Sequence, residues 1–186
     1  MATIIGLSGS LRGGSYNAAL LRAAAALAPS GMATEIASIA GIPLYDGDLE
    51  RKEGIPHTVA ALKDRIAGAD GLLLVTPEYN NSIPGVFKNA IDWLSRPPKD
   101  IPRVFGDKPV AIMGATPGRA GTRLAQAAWL PVLRTLGSRL WTGKQLYVAD
   151  AGTVFDANGE LTDQRVRGLL EEYMRGFAAF VTMTAA

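Results

Sequence analysis

Residues 3–17 read TIIGLSGSLRGGSYN, and we expect the rest of the fold to be organised around this stretch. An apolar run over residues 3–7 gives way to glycine and serine, and an alanine- and leucine-rich helical pattern starts near Ser15. This order predicts a strand, a loop and a helix. Backbone N–H groups and the dipole at the start of a helix attract anions, most often phosphate. The candidate phosphate contacts are Ser10, Arg12, Ser15 and Asn17.

Two common nucleotide-binding motifs do not fit this loop. A P-loop has a lysine directly before its serine or threonine, but Gly14 precedes Ser15, so a P-loop ATPase is not expected. The dinucleotide fingerprint G-x-G-x-x-G is absent, although Glu35 lies at a suitable distance downstream. The alternative for the loop is a turn that binds nothing, because glycine and serine are common in turns.

Composition narrows the class of protein. A chain of 186 residues with 48% hydrophobic content predicts one globular domain over residues 1–186. With no cysteine and one histidine, His57, the chain has no disulfide, thiolate site or cysteine nucleophile, and clustered metal ligands are not expected. We expect a soluble cytoplasmic protein, because we find no signal peptide and no apolar run near the roughly 18 residues of a membrane span. A net charge of +2 without a basic run favours neither nucleic acid nor an anionic membrane as partner.

Strand and helix patterns alternate along the remaining chain. The predicted strands cover residues 33–38, 71–76, 108–114 and 140–148, the predicted helices cover residues 56–69, 84–94 and 121–136, and residues 41–54 are predicted to be an exposed connecting loop. The run GLLLVT at residues 71–76 suits a strand buried on both faces of a parallel sheet. Five strands separated by helices predict a doubly wound α/β sheet, with its ligand at the carboxyl ends of the strands.

The C-terminal segment has the most regular helical stripe. Its apolar positions are Val166, Leu169, Leu170, Tyr173, Met174, Phe177, Phe180 and Val181. Apolar residues at this spacing lie on one face of a helix. We therefore interpret the aromatic residues of this stripe as core rather than as cofactor contacts.

Two further strand-to-helix loops carry groups suited to a ligand. The loop over residues 76–85 combines two prolines with Tyr79 and side-chain amides, which suits the polar edge of a flat heteroaromatic ring. Its alternative is a rigid turn in which Ser82 caps the next helix. The loop over residues 114–122 has small residues that allow close approach, and Arg119 is a candidate for a second phosphate or a solvated loop arginine.

At these loops the sequence resembles a known family. GSLRGGSYN at residues 9–17 and TPEYNNSIPGVFKNAIDWLSRP at residues 76–97 resemble the NADPH-dependent FMN reductases of flavodoxin-like fold, and within them the bacterial quinone- and chromate-reducing flavoproteins. The resemblance spans nearly the whole chain. It implies a five-stranded parallel sheet of order 2-1-3-4-5 with helices on both faces.

The resemblance also assigns site residues. It implies that the FMN phosphate is held by Ser10, Arg12, Ser15, Tyr16 and Asn17, that the ring meets Pro77, Glu78, Tyr79 and Asn80, and that the third loop closes on the flavin at Thr116 and Gly118. Arg119 is the candidate contact for the phosphates of NAD(P)H. Many close relatives have an aromatic residue in place of Asn81 and serines in place of Ala115 and Pro117, so ring stacking and nicotinamide access are expected to differ here.

The activity implied is reduction of bound FMN by NADPH or NADH, followed by ping-pong delivery of electrons to a quinone or similar small oxidant. Chromate, azo compounds and free flavin are included among the acceptors. No catalytic side chain is expected, which agrees with a chain that has no cysteine and one histidine. The alternative is a flavodoxin-like electron carrier or a regulatory FMN-binding protein without NAD(P)H turnover.

Large apolar residues near the third loop bear on assembly. Members of the family that the sequence resembles form dimers and tetramers, so the resemblance implies a homodimer or homotetramer. The apolar surface for a subunit interface could come from Trp129, Leu130, Leu133 and Trp141. The alternative is that all four residues belong to the core.

Overall fold

The computed structural model describes residues 1–183, which form a parallel sheet covered by helices on both faces. The strands are β1 (Ala2–Ser8), β2 (Met32–Ala37), β3 (Gly71–Val75), β4 (Pro109–Ala115), β5 (Arg139–Leu140) and β6 (Leu146–Val148). The helices are α1 (Tyr16–Ala26), α2 (Gly47–Glu53), α3 (His57–Ala67), α4 (Gly85–Leu94), α5 (Ile101–Val104), α6 (Arg123–Thr135), α7 (Ala151–Val154) and α8 (Gln164–Thr182). None of the helices within residues 1–183 has the length and apolar character needed to cross a membrane.

The sheet has the predicted order. Its strands run β2-β1-β3-β4-β5, and β6 also pairs with β4, with every pairing parallel. The central strand β3 is buried at every residue, as its uninterrupted apolar sequence predicts. The α/β flavodoxin-like fold class is therefore confirmed, and the carboxyl ends of β1, β3 and β4 lie at one edge.

The fifth strand differs from the prediction of one strand over residues 140–148. The chain pairs with β4 first as β5, at Pro109 and Val110, and again as β6, along residues 113–115. Between them, residues 141–145 leave the sheet, and the Trp141 ring packs edge-on against Tyr173 with ring centres 4.7 Å apart. A side chain at Gly143 would collide with this ring, so the small residue permits the excursion.

Each face of the sheet has its own apolar core. Helices α1 and α8 cover one face, and α3, α4 and α6 cover the other. Tyr173 and Phe177 of α8 are fully buried, which confirms their interpretation as core. The Tyr173 hydroxyl donates to the Ile112 carbonyl over 2.7 Å, and burial raises the pKa of this phenol far above its usual value.

The predicted exposed loop over residues 41–54 contains a helix, α2. The Asp46 carboxylate caps it by accepting from the Asp48 and Leu49 N–H groups, and Gly54, at a φ of 79°, ends it. Every α2 side chain is at least partly exposed, so the helix has no apolar stripe that sequence analysis could detect. The preceding residues are fixed to α4, because Asn89 and Trp93 both donate to the Pro43 carbonyl.

Candidate functional site

The strand order reverses between β1 and β3, since the chain passes from β1 outward to β2 and then returns to β3 and β4. A crevice forms beyond the carboxyl ends of strands at such a switch point, and ligands of doubly wound folds bind there. The loops after β1 and β3 flank this position, and the loop after β4 is their neighbour. These are the three loops that the sequence identified.

The loop after β1 presents unpaired donors. Ser15 caps α1, because its Oγ accepts from the Ala18 N–H over 3.3 Å while its own N–H donates to the Arg12 carbonyl over 3.2 Å. The Ser10 hydroxyl accepts from the Arg12 N–H over 3.3 Å. Within residues 1–183, no acceptor is found for the N–H groups of Ser10, Leu11, Gly13, Gly14, Tyr16 and Asn17. The loop can therefore donate several hydrogen bonds to one anion.

Arg12 adds a positive charge to these donors. Its guanidinium lies 5.6 Å from the centre of the Tyr16 ring, and no carboxylate pairs with it within residues 1–183. The Tyr16 ring is in turn stacked on Phe155 with centres 6.0 Å apart. An exposed guanidinium over a fixed ring remains free to bind phosphate.

Asn17 is turned away from the donors of this loop. It is 3% exposed, and its amide pairs with both backbone groups of Ala115 by donating to the carbonyl over 2.8 Å and accepting from the N–H over 2.9 Å. This side chain fixes α1 to the end of β4. The group of Asn17 that remains available to a phosphate is its backbone N–H.

The loop after β3 is a tight turn. Tyr79 and Ser82 exchange backbone hydrogen bonds of 3.1 and 3.0 Å, and between them Asn80 and Asn81 have φ values of 51° and 60°. Positive φ at both central positions defines a type I′ turn, in which asparagine is favoured. Asn81 is thus suited to a conformation that strains bulkier residues. The predicted alternative that Ser82 caps α4 is wrong, because Pro84 precedes the helix without a side-chain cap.

The first two loops meet at Tyr79. Its phenol oxygen lies 3.5 Å from the Ser10 Oγ, and its side chain is 48% exposed at the crevice. Beneath the turn, Thr76 and Pro77 are buried, and the Thr76 hydroxyl donates to the Pro77 carbonyl over 2.8 Å. The structure therefore places a rigid aromatic side chain beside the donors of the first loop.

Glu78 fixes the second loop to α6. Its Oε2 accepts from the Leu124 and Ala125 N–H groups over 2.8 and 2.9 Å, which satisfies two unpaired donors at the start of the helix. Local sequence does not reveal this cap, because it joins residues 46 and 47 positions apart. Glu78 lies at the predicted crevice, but its carboxylate already has partners.

The third loop is fixed by the segment after β6, which sequence analysis missed. Thr116 donates its N–H to Val148 and accepts from Ala151, and the Gly118 carbonyl accepts from Asp150. Arg119 is exposed, and no partner for it is found within residues 1–183. The same residues contain no group of three or more His, Cys, Asp or Glu that could hold a metal ion.

Comparison with known proteins agrees with this geometry. A profile of the NADPH-dependent FMN reductase family matches residues 2–153. The chain is 43% identical over 178 residues to an NAD(P)H-dependent FMN reductase of Pseudomonas aeruginosa, a match that covers 96% of this chain and 94% of the relative. It is 42% identical over 173 residues to a 2-hydroxy-1,4-benzoquinone reductase of Burkholderia, covering 93% and 92%. The flavoenzyme NAD(P)H:(acceptor) oxidoreductase FerB of Paracoccus denitrificans superposes with a TM-score of 0.87 at 33% identity, over 98% of both chains.

Proposed function

Because the chain belongs to the NADPH-dependent FMN reductase family, we propose that it uses bound FMN to carry electrons from NADPH or NADH to quinones or similar small oxidants. It is an oxidoreductase whose cofactors are FMN and NAD(P)H. The observation that carries the acceptor proposal is that the three loops meet beside Arg12, whose guanidinium has no carboxylate partner within residues 1–183. Such an open site suits many small oxidants, so chromate, azo compounds and free flavin are included as acceptors.

The first loop fits the phosphate of FMN. Its unpaired N–H groups and the free Arg12 guanidinium match a dianion that accepts several hydrogen bonds. We assign the phosphate to Ser10, Arg12, Ser15, Tyr16 and Asn17, with Asn17 acting through its backbone N–H.

The other two loops fit a flat ring. We assign the ring contacts to Pro77, Glu78, Tyr79 and Asn80, together with Thr116 and Gly118 of the third loop. When bound, FMN supplies the chemistry of accepting a hydride and passing two electrons on. The side chains have the task of orientation: the type I′ turn fixes Tyr79, and the Glu78 cap fixes this turn to α6.

We infer that the two substrates share the crevice between the three loops and therefore bind in turn. The crevice would hold NAD(P)H while its hydride passes to bound FMN, and it would hold the acceptor only after NAD(P)⁺ has left, which is a ping-pong sequence. Arg119 is the proposed contact for the phosphates of NAD(P)H, because it is an unpaired cation on the loop that borders the crevice. An arginine suits phosphate because it donates two hydrogen bonds in one plane.

Steady-state kinetics test this sequence. With NADPH and a benzoquinone both varied, double-reciprocal plots should give parallel lines. Intersecting lines, together with binding of an acceptor analogue to NADPH-loaded protein, would remove the shared-site mechanism. If the FMN-loaded protein oxidises neither NADPH nor NADH with every acceptor tested, the electron-carrier or regulatory alternative is favoured.

We also propose a homodimer or homotetramer. Trp129 and Leu133 are fully buried, so they belong to the core, but Leu124 and Leu130 of α6 are 52% and 45% exposed. Exposed leucines on one helix are suited to a subunit interface. Light scattering should give a mass above that of the 19.6 kDa chain, and the mass of one chain at micromolar concentration would contradict the proposal.

A further inference from the structure

A cavity lies at the sheet edge where residues 141–145 leave the fifth strand. Its volume is about 210 Å³, and its walls are mainly apolar. The apolar part of the walls comes from Ile112, Leu130, Leu140, Trp141 and Tyr147, and Thr142, Lys144 and Gln145 also line the cavity. An apolar cavity of about 150 Å³ accommodates one benzene ring. The cavity therefore has room for a single substituted ring.

The cavity contains one buried amide with an unused acceptor. Gln126 lines it and is 6% exposed. Its Nε2 donates to the Thr122 Oγ1 over 2.9 Å and to the Leu146 carbonyl over 3.0 Å. Because a carbonyl can only accept, the amide nitrogen must face Leu146, which fixes the orientation of the amide. The Gln126 Oε1 then has no donor within residues 1–183.

A second acceptor comes from a proline inside α6. Pro131 has no N–H, so the Ala127 carbonyl loses the donor that an uninterrupted helix would supply. Ala127 also lines the cavity. Ala127 is exposed, whereas Gln126 is buried, and both groups are oxygens that can only accept, so a ligand that pairs with them must bring hydrogen-bond donors.

We propose that this cavity binds a small aromatic molecule that carries a hydroxyl group, such as a phenol or a hydroquinone. The ring packs against Trp141 and the aliphatic walls, and the hydroxyl donates to the Gln126 Oε1. An unsubstituted benzoquinone has carbonyl oxygens only and cannot donate, so the cavity matches its reduced product better than the quinone itself. The connection to the product rests on the proposed function, but the binding of a phenol does not.

The site lies directly behind the third loop. Gln126 is bonded to Thr122, which precedes α6 and ends that loop. A bound hydroxyl would complete the bonding of the same amide. Product held here would thus contact the element that borders the crevice without occupying the crevice.

Calorimetric titration of the FMN-loaded protein with phenol and with anisole tests the proposal. The two rings differ chiefly in the hydroxyl donor, so phenol should bind about tenfold more tightly. Leu130→Trp should fill the cavity and abolish phenol binding. Leu169→Trp, at a position 40% exposed on α8, is the matched control and should bind phenol like the unmodified protein.

Three results would overturn the proposal: equal affinity for phenol and anisole, no phenol binding, or phenol binding unchanged in Leu130→Trp. Light scattering of the same samples identifies the competing occupant, since a smaller mass for Leu130→Trp without phenol binding to the unmodified protein would assign the cavity to a subunit interface. NADPH oxidation by a benzoquinone is measured separately. If the protein does not oxidise NADPH, the cavity can no longer be assigned to the hydroquinone product. The result for phenol binding would still stand.

Discussion

Two polar regions of this chain differ in how completely their groups are paired. In the loop after β1, several N–H groups lack an acceptor, and the Arg12 guanidinium, which lies over the Tyr16 ring, has no carboxylate partner, within residues 1–183. Between α3 and the segment after α4, the ammonium of Lys63, which is 2% exposed, donates to both the Arg96 carbonyl and the Asp100 carboxylate. Unpaired donors at the surface are available to a ligand, whereas a buried cation that loses its partner destabilises the fold. Changes in the two regions should therefore affect different measurements.

The largest effect is expected for Arg12→Ala combined with Ser15→Ala. Each charged hydrogen bond to the phosphate contributes about 1.5 to 3 kcal/mol, so FMN affinity should fall by roughly a hundredfold or more. Fluorescence titration of the apoprotein with FMN measures this affinity. Arg51→Ala, which removes an exposed arginine paired with Asp48, is the matched control and should bind FMN normally. Unchanged affinity in the double variant would contradict the phosphate assignment.

The paired region should respond in the opposite way. Asp100→Asn removes the carboxylate 2.5 Å from the Lys63 ammonium, and leaving a buried cation without its partner costs about 3 kcal/mol of unfolding free energy. Urea unfolding measures the loss. FMN affinity should stay within about twofold of the unmodified protein. A large loss of FMN affinity without a loss of stability would contradict the claim that this pair acts on stability and the loop after β1 acts on FMN binding.

The same pair predicts acid sensitivity. The hydrogen bond from Lys63 holds the pKa of the Asp100 carboxyl below its usual value. A lowered folded-state pKa stabilises the protein above the ordinary aspartate pKa, and this stabilisation is lost as the pH falls through the lowered value. Urea unfolding at a series of acidic pH values should therefore show a steeper decline for the unmodified protein than for Asp100→Asn. Equal slopes for the two proteins would mean that the pair of Lys63 and Asp100 is not the source of the acid sensitivity.

Glu78, in the loop after β3, combines the features of the two regions, since it lies at the crevice but has a paired carboxylate. Glu78→Ala should lower the unfolding free energy by about 2 kcal/mol, because two N–H groups at the start of α6 lose a charged acceptor. Glu78→Gln keeps an acceptor and should lose less. Thermal unfolding and FMN titration on the same samples separate the two roles. A loss of FMN affinity with unchanged stability in Glu78→Ala would mean that the carboxylate acts on the cofactor rather than on α6.

The smallest effect is expected at Asn81. Asn81→Val places a β-branched residue at a φ of 60° and should cost about 1 kcal/mol of stability. Asn81→Gly is the matched control, because glycine adopts this conformation without strain. Circular dichroism of the bound flavin should change in the valine variant only. Identical spectra and stabilities for both variants would mean that the turn does not need its left-handed residues.

How far the sequence predicts this molecule depends on the range of the interactions. The strand at β3 and the start of α1 are predictable, because an unbroken apolar run and a capping serine act through neighbouring residues. Helix α2 escapes prediction, because it has no buried side chain and only the Asp46 cap indicates it. The break between β5 and β6 at residues 141–145 is not predictable either, because Gly143 is its only local signal and Trp141 packs against α8, which is distant in sequence.

The candidate site shows the same limit. The family resemblance points to Asn17 and Glu78, but their side chains reach backbone groups far along the chain, Asn17 at Ala115 and Glu78 at Leu124. Sequence spacing cannot reveal such contacts, because they exist only after the sheet has brought the loops together. The loops that carry these residues are therefore predictable from the sequence, whereas the partners of their side chains are not.

An anaerobic absorbance titration of the FMN-loaded protein tests the central claim most directly. Addition of NADPH or NADH should bleach the visible absorbance band of the bound flavin, and subsequent addition of a benzoquinone should restore it. A band that neither nucleotide changes, in protein shown to bind FMN, would contradict the account of this chain as an NAD(P)H-dependent quinone reductase.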